Sequence, residues 1–131
     1  MDLTDDEMWI VLDGCRTEGE REFIREMSRR ASGWRELGID NDHLLGTTEP
    51  FVMLMLDISK DKRVLRTLRA DYRDSKVVVG VDETQQSATD LDEASPDVLV
   101  VTEGTPRSFA TAAADWMERE IRRFVQVREE C

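Results

Sequence analysis

The chain has 131 residues, 36% of them charged, and a formal net charge of −11. That length supports one hydrophobic core in a single domain, 1–131, and the acid excess disfavours nucleic acid, whose phosphates it would repel. No apolar run of about 18 residues occurs and the acidic N-terminus lacks a basic and apolar leader, so neither a membrane span nor a signal peptide is expected, and the expected location is the cytoplasm.

The first element predicted is a helix over 5–32. Thr4 and Glu7 stand at capping-box spacing, Leu3 and Met8 at staple spacing, and Asp5 and Asp6 favour the positive end of the helix dipole. Met8, Leu12, Cys15, Phe23, Met27 and Ala31 recur at helical spacing. Gly14 and Gly19 interrupt this pattern, so a break near 14–19 is allowed for, and Gly33 is the expected C-cap. Trp9 and Trp34 fall at the edge of the stripe, where they either cover the core or face solvent.

Residues 38–50 are turn-rich and read as a loop. The continuous apolar run Phe51–Ile58 reads as a buried central strand. The segment 63–73 fits either a helix, with Val64, Leu65, Leu68 and Tyr72 on one face, or a strand, with Val64, Leu68, Ala70 and Tyr72 sharing a face with Arg66. Bases at 60, 62 and 63 suit the start of a helix poorly, so the strand is preferred. Lys76–Asp82 is β-branched and reads as a strand, 83–97 as an exposed acidic loop, and Asp97–Thr102 as a further strand. Thr105 and Pro106 begin an amphipathic helix, 106–123, with Phe109, Ala112, Ala113, Trp116, Met117 and Ile121 inward; Phe124–Arg128 reads as a short final strand. The fold class is α+β: an antiparallel meander if 63–73 is a strand, a ferredoxin-like βαββαβ order if it is a helix.

Charge is sorted along the chain. Lys60, Lys62, Lys76, Arg63, Arg66, Arg69 and Arg73 cluster between 60 and 76, whereas 77–97 carries Asp82, Glu83, Asp90, Asp92, Glu93 and Asp97 without a base. The bases are expected to pair internally with the first helix or the acidic loop, leaving Asp82, Glu83, Asp90, Asp92, Glu93, Asp5 and Asp6 as the surface offered to a protein partner.

Chemistry-bearing motifs are sparse. His43, the one histidine, lies in Asp40-Asn-Asp-His43 with Glu49 nearby; Leu44 and Leu45 spoil the calcium-loop pattern, so no metal is expected there. Cys15 has no histidine near it in sequence, and it and Cys131 read as free thiols. There is no phosphate loop, dinucleotide fingerprint or nucleophile elbow, so no cofactor is expected. Asp57 and Asp82 end two apolar strands; they could hold a metal for hydrolysis if those strands ran parallel, and in an antiparallel meander are expected at opposite ends.

The tail from Phe109 to Glu130, with its Trp116-Met-Glu-Arg-Glu-Ile-Arg-Arg123 core, resembles the ends of small acidic actinobacterial proteins. These join antiparallel strands to a closing amphipathic helix, and some look like immunity proteins of toxin systems. The resemblance implies a non-enzymatic binding role, here inhibition of a basic toxin. The alternatives are an assembly subunit forming homo-oligomers and a metal-dependent hydrolase using the strand-end carboxylates.

Overall fold

The computed structural model describes residues 15–37, 44–47, 51–60, 63–73, 76–82 and 91–130. Helix α1 (Glu18–Ala31) is followed directly by a 3-10 helix (Ser32–Leu37), five strands and helix α2 (Pro106–Glu130). The strands are β1 (Leu44–Thr47), β2 (Val52–Lys60), β3 (Arg63–Tyr72), β4 (Val77–Val81) and β5 (Leu99–Val101). They form one sheet in the order β1-β2-β3-β4-β5, every neighbouring pair antiparallel. The fold is therefore α+β, and 63–72 is a strand of a meander. No helix among the described residues is long and apolar enough to cross a membrane.

Each helix begins on a side-chain cap. Thr17 Oγ1 accepts the Glu20 amide at 3.1 Å while the Glu20 carboxylate accepts the Thr17 amide at 3.3 Å, a reciprocal capping box. Cys15 and Arg16 lie before the helix, so within the described residues the long helix predicted over 5–32 begins only at Glu18. Gly33 is not the C-cap: Ser32 is, in right-handed geometry, and the chain tightens into the 3-10 turn. At α2, Thr105 Oγ1 accepts the Ser108 amide at 3.1 Å and Ser108 Oγ accepts the Thr105 amide at 2.8 Å.

One sheet face carries the apolar core. Val52, Leu54, Leu56 and Ile58 of β2, Leu68, Ala70 and Tyr72 of β3, and Val77 and Val79 of β4 alternate onto it, as a two-residue period requires. From α1 come Phe23, Ile24, Met27 and Ala31; from α2 come Phe109, Ala110, Ala113, Ala114, Met117 and Ile121. Phe23 stacks on Tyr72 with ring centroids 4.6 Å apart. Trp34 is fully buried, whereas Trp116 packs half-buried on the rim of the core.

Two elements depart from the sequence reading. The predicted loop 38–50 contains β1, because Leu44–Thr47 pairs in register with Met53–Leu56. The predicted strand Phe124–Arg128 is a continuation of α2; extending an existing helix adds one hydrogen bond per residue ordered, which outweighs the strand preference of two valines.

Candidate functional site

The far face of the sheet is polar and also buried. Met53, Met55 and Asp57 of β2 lie there beside Asp71, Arg69 and Thr67 of β3, and Val78 and Gly80 follow on β4 with Asp82 just past its end. Arg69 is 1% exposed. Its guanidinium donates from Nε to Asp71 Oδ1 and from Nη2 to Asp71 Oδ2, both at 2.8 Å, and its Nη1 lies 3.8 Å from Asp82 Oδ2. A fork of parallel bonds to a carboxylate is the geometry for which arginine is suited, and it brings a cation to two buried acids. Gly80 stands opposite Arg69 and lets the 91–98 segment approach: a Cβ there would sit 3.0 Å from Val98 Cγ2 and 3.6 Å from Leu91 Cδ2.

The same face brings Asp57 and Asp82 into one cross-strand row, with Thr67 between them. Thr67 Oγ1 donates to Asp57 at 2.7 Å, and the Asp82 amide donates to the Thr67 carbonyl at 2.9 Å. The expectation that an antiparallel meander separates these acids is therefore corrected. Alternate strands of a meander run in the same direction, so β2 and β4 end at the same edge. Among the described residues no group of three or more His, Cys, Asp or Glu could hold a metal; the cation beside Asp82 is the chain's own Arg69.

Asp82 is consequently not part of the exposed acidic surface: it is 3% exposed, because the row that ends β4 turns inward toward Arg69. Asp92 and Glu93 are exposed. Asp92 accepts the amide of Ala94 at 3.0 Å, closing its own turn, and Glu93 receives Lys76 Nζ on both oxygens at 2.8 Å. Glu83, Asp90, Asp5, Asp6, His43, Glu49, Trp9, Cys131, the Thr4–Glu7 capping box and the Leu3–Met8 staple lie outside the described residues.

The basic block is used internally wherever its side chains are described. Besides Arg69 and Lys76, Arg66 lies 3.6 Å from Glu120 on α2, and the Arg73 guanidinium sits 3.8 Å above the Phe51 ring. A second network ties the helices together. Glu118 accepts Arg30 Nε at 3.2 Å, Arg30 Nη2 at 2.8 Å and Trp34 Nε1 at 2.9 Å, while Asp115 accepts Arg30 Nη2 at 2.6 Å. The hydrogen bonds that Arg30 donates to Glu118 hold its guanidinium even more firmly protonated than usual. Glu26, bonded by Arg29 and with Arg107 at 3.7 Å, is held below the ordinary carboxylate range, chiefly by the Arg29 hydrogen bond. Burial, assisted by Glu20, pushes the Cys15 thiol up, which suppresses the thiolate a nucleophile needs.

Among the described residues, β5 is an edge strand with no partner on its outer side. Between 91 and 105 the chain carries Asp92, Glu93, Asp97 and Glu103 and no base. All four are exposed, and among the described residues only Glu93 takes part in an ion pair. Asp97 immediately precedes the strand's approach and Glu103 follows it, so acids bracket Leu99–Val101. A shallow groove of 510 Å³ beside Leu99 is lined by Ala112, Asp115, Glu118, Arg119 and Arg122 of α2. The chain matches no protein-family model, no curated protein and no solved structure.

Proposed function

We propose that the chain is a non-enzymatic protein-binding domain, of the kind immunity proteins represent, that meets a basic partner through the acidic surface around β5. The observation that carries this reading is the disposition of charge: Asp92, Asp97 and Glu103 are exposed and, among the described residues, take part in no ion pair, whereas the described bases of the 60–76 block are all engaged within the fold. Acids left in this state steer a cationic partner and speed its association. The buried Arg69–Asp71–Asp82 cluster supports the same reading from the other side, since its positive charge is built in and its groups are closed to solvent.

The test is a comparative capture from native lysate, with the wild type and the triple variant D92N/D97N/E103Q immobilised side by side. Basic proteins retained by the wild type at about 0.1 M salt are expected to leave at about 1 M salt, where the screening length falls from ~10 Å to ~3 Å. The triple variant is expected not to retain them. Identical retention by both proteins would overturn the reading.

A further inference from the structure

We infer that the outer edge of β5 is the docking line itself: an extended segment of the partner, with basic residues at its two ends, adds to the sheet as a further strand. This rests on the reading of the chain as a binder of a basic protein and specifies how binding is achieved.

Register decides which backbone groups are free. The Asp82 amide donates to Thr67 and the Arg73 amide to Lys76, so the peptide groups of β4 that turn toward β3 belong to 76, 78, 80 and 82. Val77 and Val79 therefore turn toward β5, where they face Val101 and Leu99. Val100, between them, directs both its N–H and its C=O away from β4. Among the described residues no strand pairs with that side. An edge that presents a donor and an acceptor in this way is a template for strand addition.

Charge selects the occupant. A second copy pairing antiparallel about Val100 would set Asp97 against Glu103 of that copy at each end of the contact, two like-charge juxtapositions. A segment with arginine or lysine at both ends meets the same two acids favourably. Its middle is not basic, because Arg119 and Arg122, exposed and without an ion pair among the described residues, line the groove beside Leu99, while the Asp115 and Glu118 carboxylates there are already bonded by Arg30. The centre of the docked strand is thus apolar and polar-neutral in alternation, its cations confined to the ends.

The probe is a labelled peptide with arginine at both ends and alternating threonine and valine between, long enough to reach from Asp97 to Glu103, titrated with the full chain by fluorescence anisotropy. A glutamate-ended version and a version N-methylated at alternate residues are the controls. The wild type is expected to bind the arginine-ended peptide, and the N-methylated one at least about tenfold more weakly, since the shared backbone bonds are lost. Val100→Pro, which removes the outward N–H at a position where an edge strand tolerates proline, is expected to weaken binding at least about tenfold with an unchanged circular dichroism spectrum. D97N/E103Q is expected to weaken it about three- to tenfold. If the N-methylated peptide and Val100→Pro bind as tightly as their parents while D97N/E103Q does not, strand addition is overturned and attraction of a basic partner stands. Equal binding of arginine- and glutamate-ended peptides overturns the basic-partner reading itself. Absence of binding by the arginine-ended peptide overturns the docking line, leaving the capture experiment to decide the broader reading.

Discussion

Replacing Arg69 by methionine isolates the role of the buried cluster. The substitution keeps an unbranched stem, so packing against the neighbouring β2 methionines changes little, but it withdraws the guanidinium. Two hydrogen bonds of 2.8 Å to Asp71 vanish, and with them the positive charge 3.8 Å from Asp82. Side chains at this site are 1% and 3% exposed, so water does not replace the lost partner. Breaking a buried pair from one side costs about 3–5 kcal/mol, a large share of the roughly 5–15 kcal/mol that holds a domain folded. Urea denaturation followed by circular dichroism measures the loss. Arg69→Met/Asp71→Leu removes both partners, and its cost is expected to fall at least ~2 kcal/mol below the sum of the two single costs. Additive costs, or a loss under about 1 kcal/mol for Arg69→Met alone, would refute the assignment of Arg69 and Asp71 as a buried, energetically coupled pair.

Three further perturbations test the contacts that join the two helices and start α2. Glu118→Ala removes the acceptor of both Arg30 and the buried Trp34 indole, and is expected to cost about 2–3 kcal/mol in urea midpoint measurements, with Glu118→Gln closer to wild type. Glu26→Gln is expected to flatten the acid limb of the stability profile. Because the folded carboxyl lies below its ordinary 4.5, its contribution is present above that pH and disappears as pH falls through the lower folded value, so thermal melts of the two proteins should converge under acid. Gly104→Ala is expected to cost about 1–3 kcal/mol: Gly104 has φ of 140°, and a Cβ there would meet Ser108 Oγ, which caps α2. An unchanged melting temperature would show that the cap yields without penalty.

The elements legible in the sequence were those whose pattern is local. Thr105-Pro106 marked the start of α2 and the valine runs marked β4 and β5, because capping and β-branching act within a few residues. Strand β1 was not legible: four residues with one glycine become a strand only through pairing with β2. The strand β3 matches the preference for a strand over 63–73, whose alternation brings out the face of Val64, Leu68, Ala70 and Tyr72 with Arg66. The opposite face, with Thr67, Arg69 and Asp71, reads as solvent-facing if a sheet is covered on one side only. The runs Val77-Val-Val-Gly-Val81 and Val52-Met-Leu-Met-Leu56 speak against one-sided cover, since they do not alternate, as strands buried on both faces do not. Read so, Arg69 and Asp71 are two residues apart on a buried face, where a cation and an acid must find one another.

The sorted charge acquires a different meaning once placed on the sheet. The block from 60 to 76 is absorbed wherever its side chains are described: by an acid on α2, an aromatic ring, a buried aspartate and the 91–98 segment. The described acids between β4 and α2 divide, with Asp82 drawn inward and Glu93 tied to Lys76, so among the described residues the unneutralised ones there are Asp92 and the pair bracketing β5, Asp97 and Glu103. Exposed edge strands invite aggregation, and flanking charge is a common means of preventing it. Acids at both ends of a short edge oppose pairing between copies, yet the same two charges favour a segment with bases at the matching positions. On the proposed reading, protection against self-association and selection of a basic partner are one arrangement, and removing Asp97 and Glu103 should relax both together: weaker binding of the arginine-ended peptide accompanied by concentration-dependent self-association in light scattering.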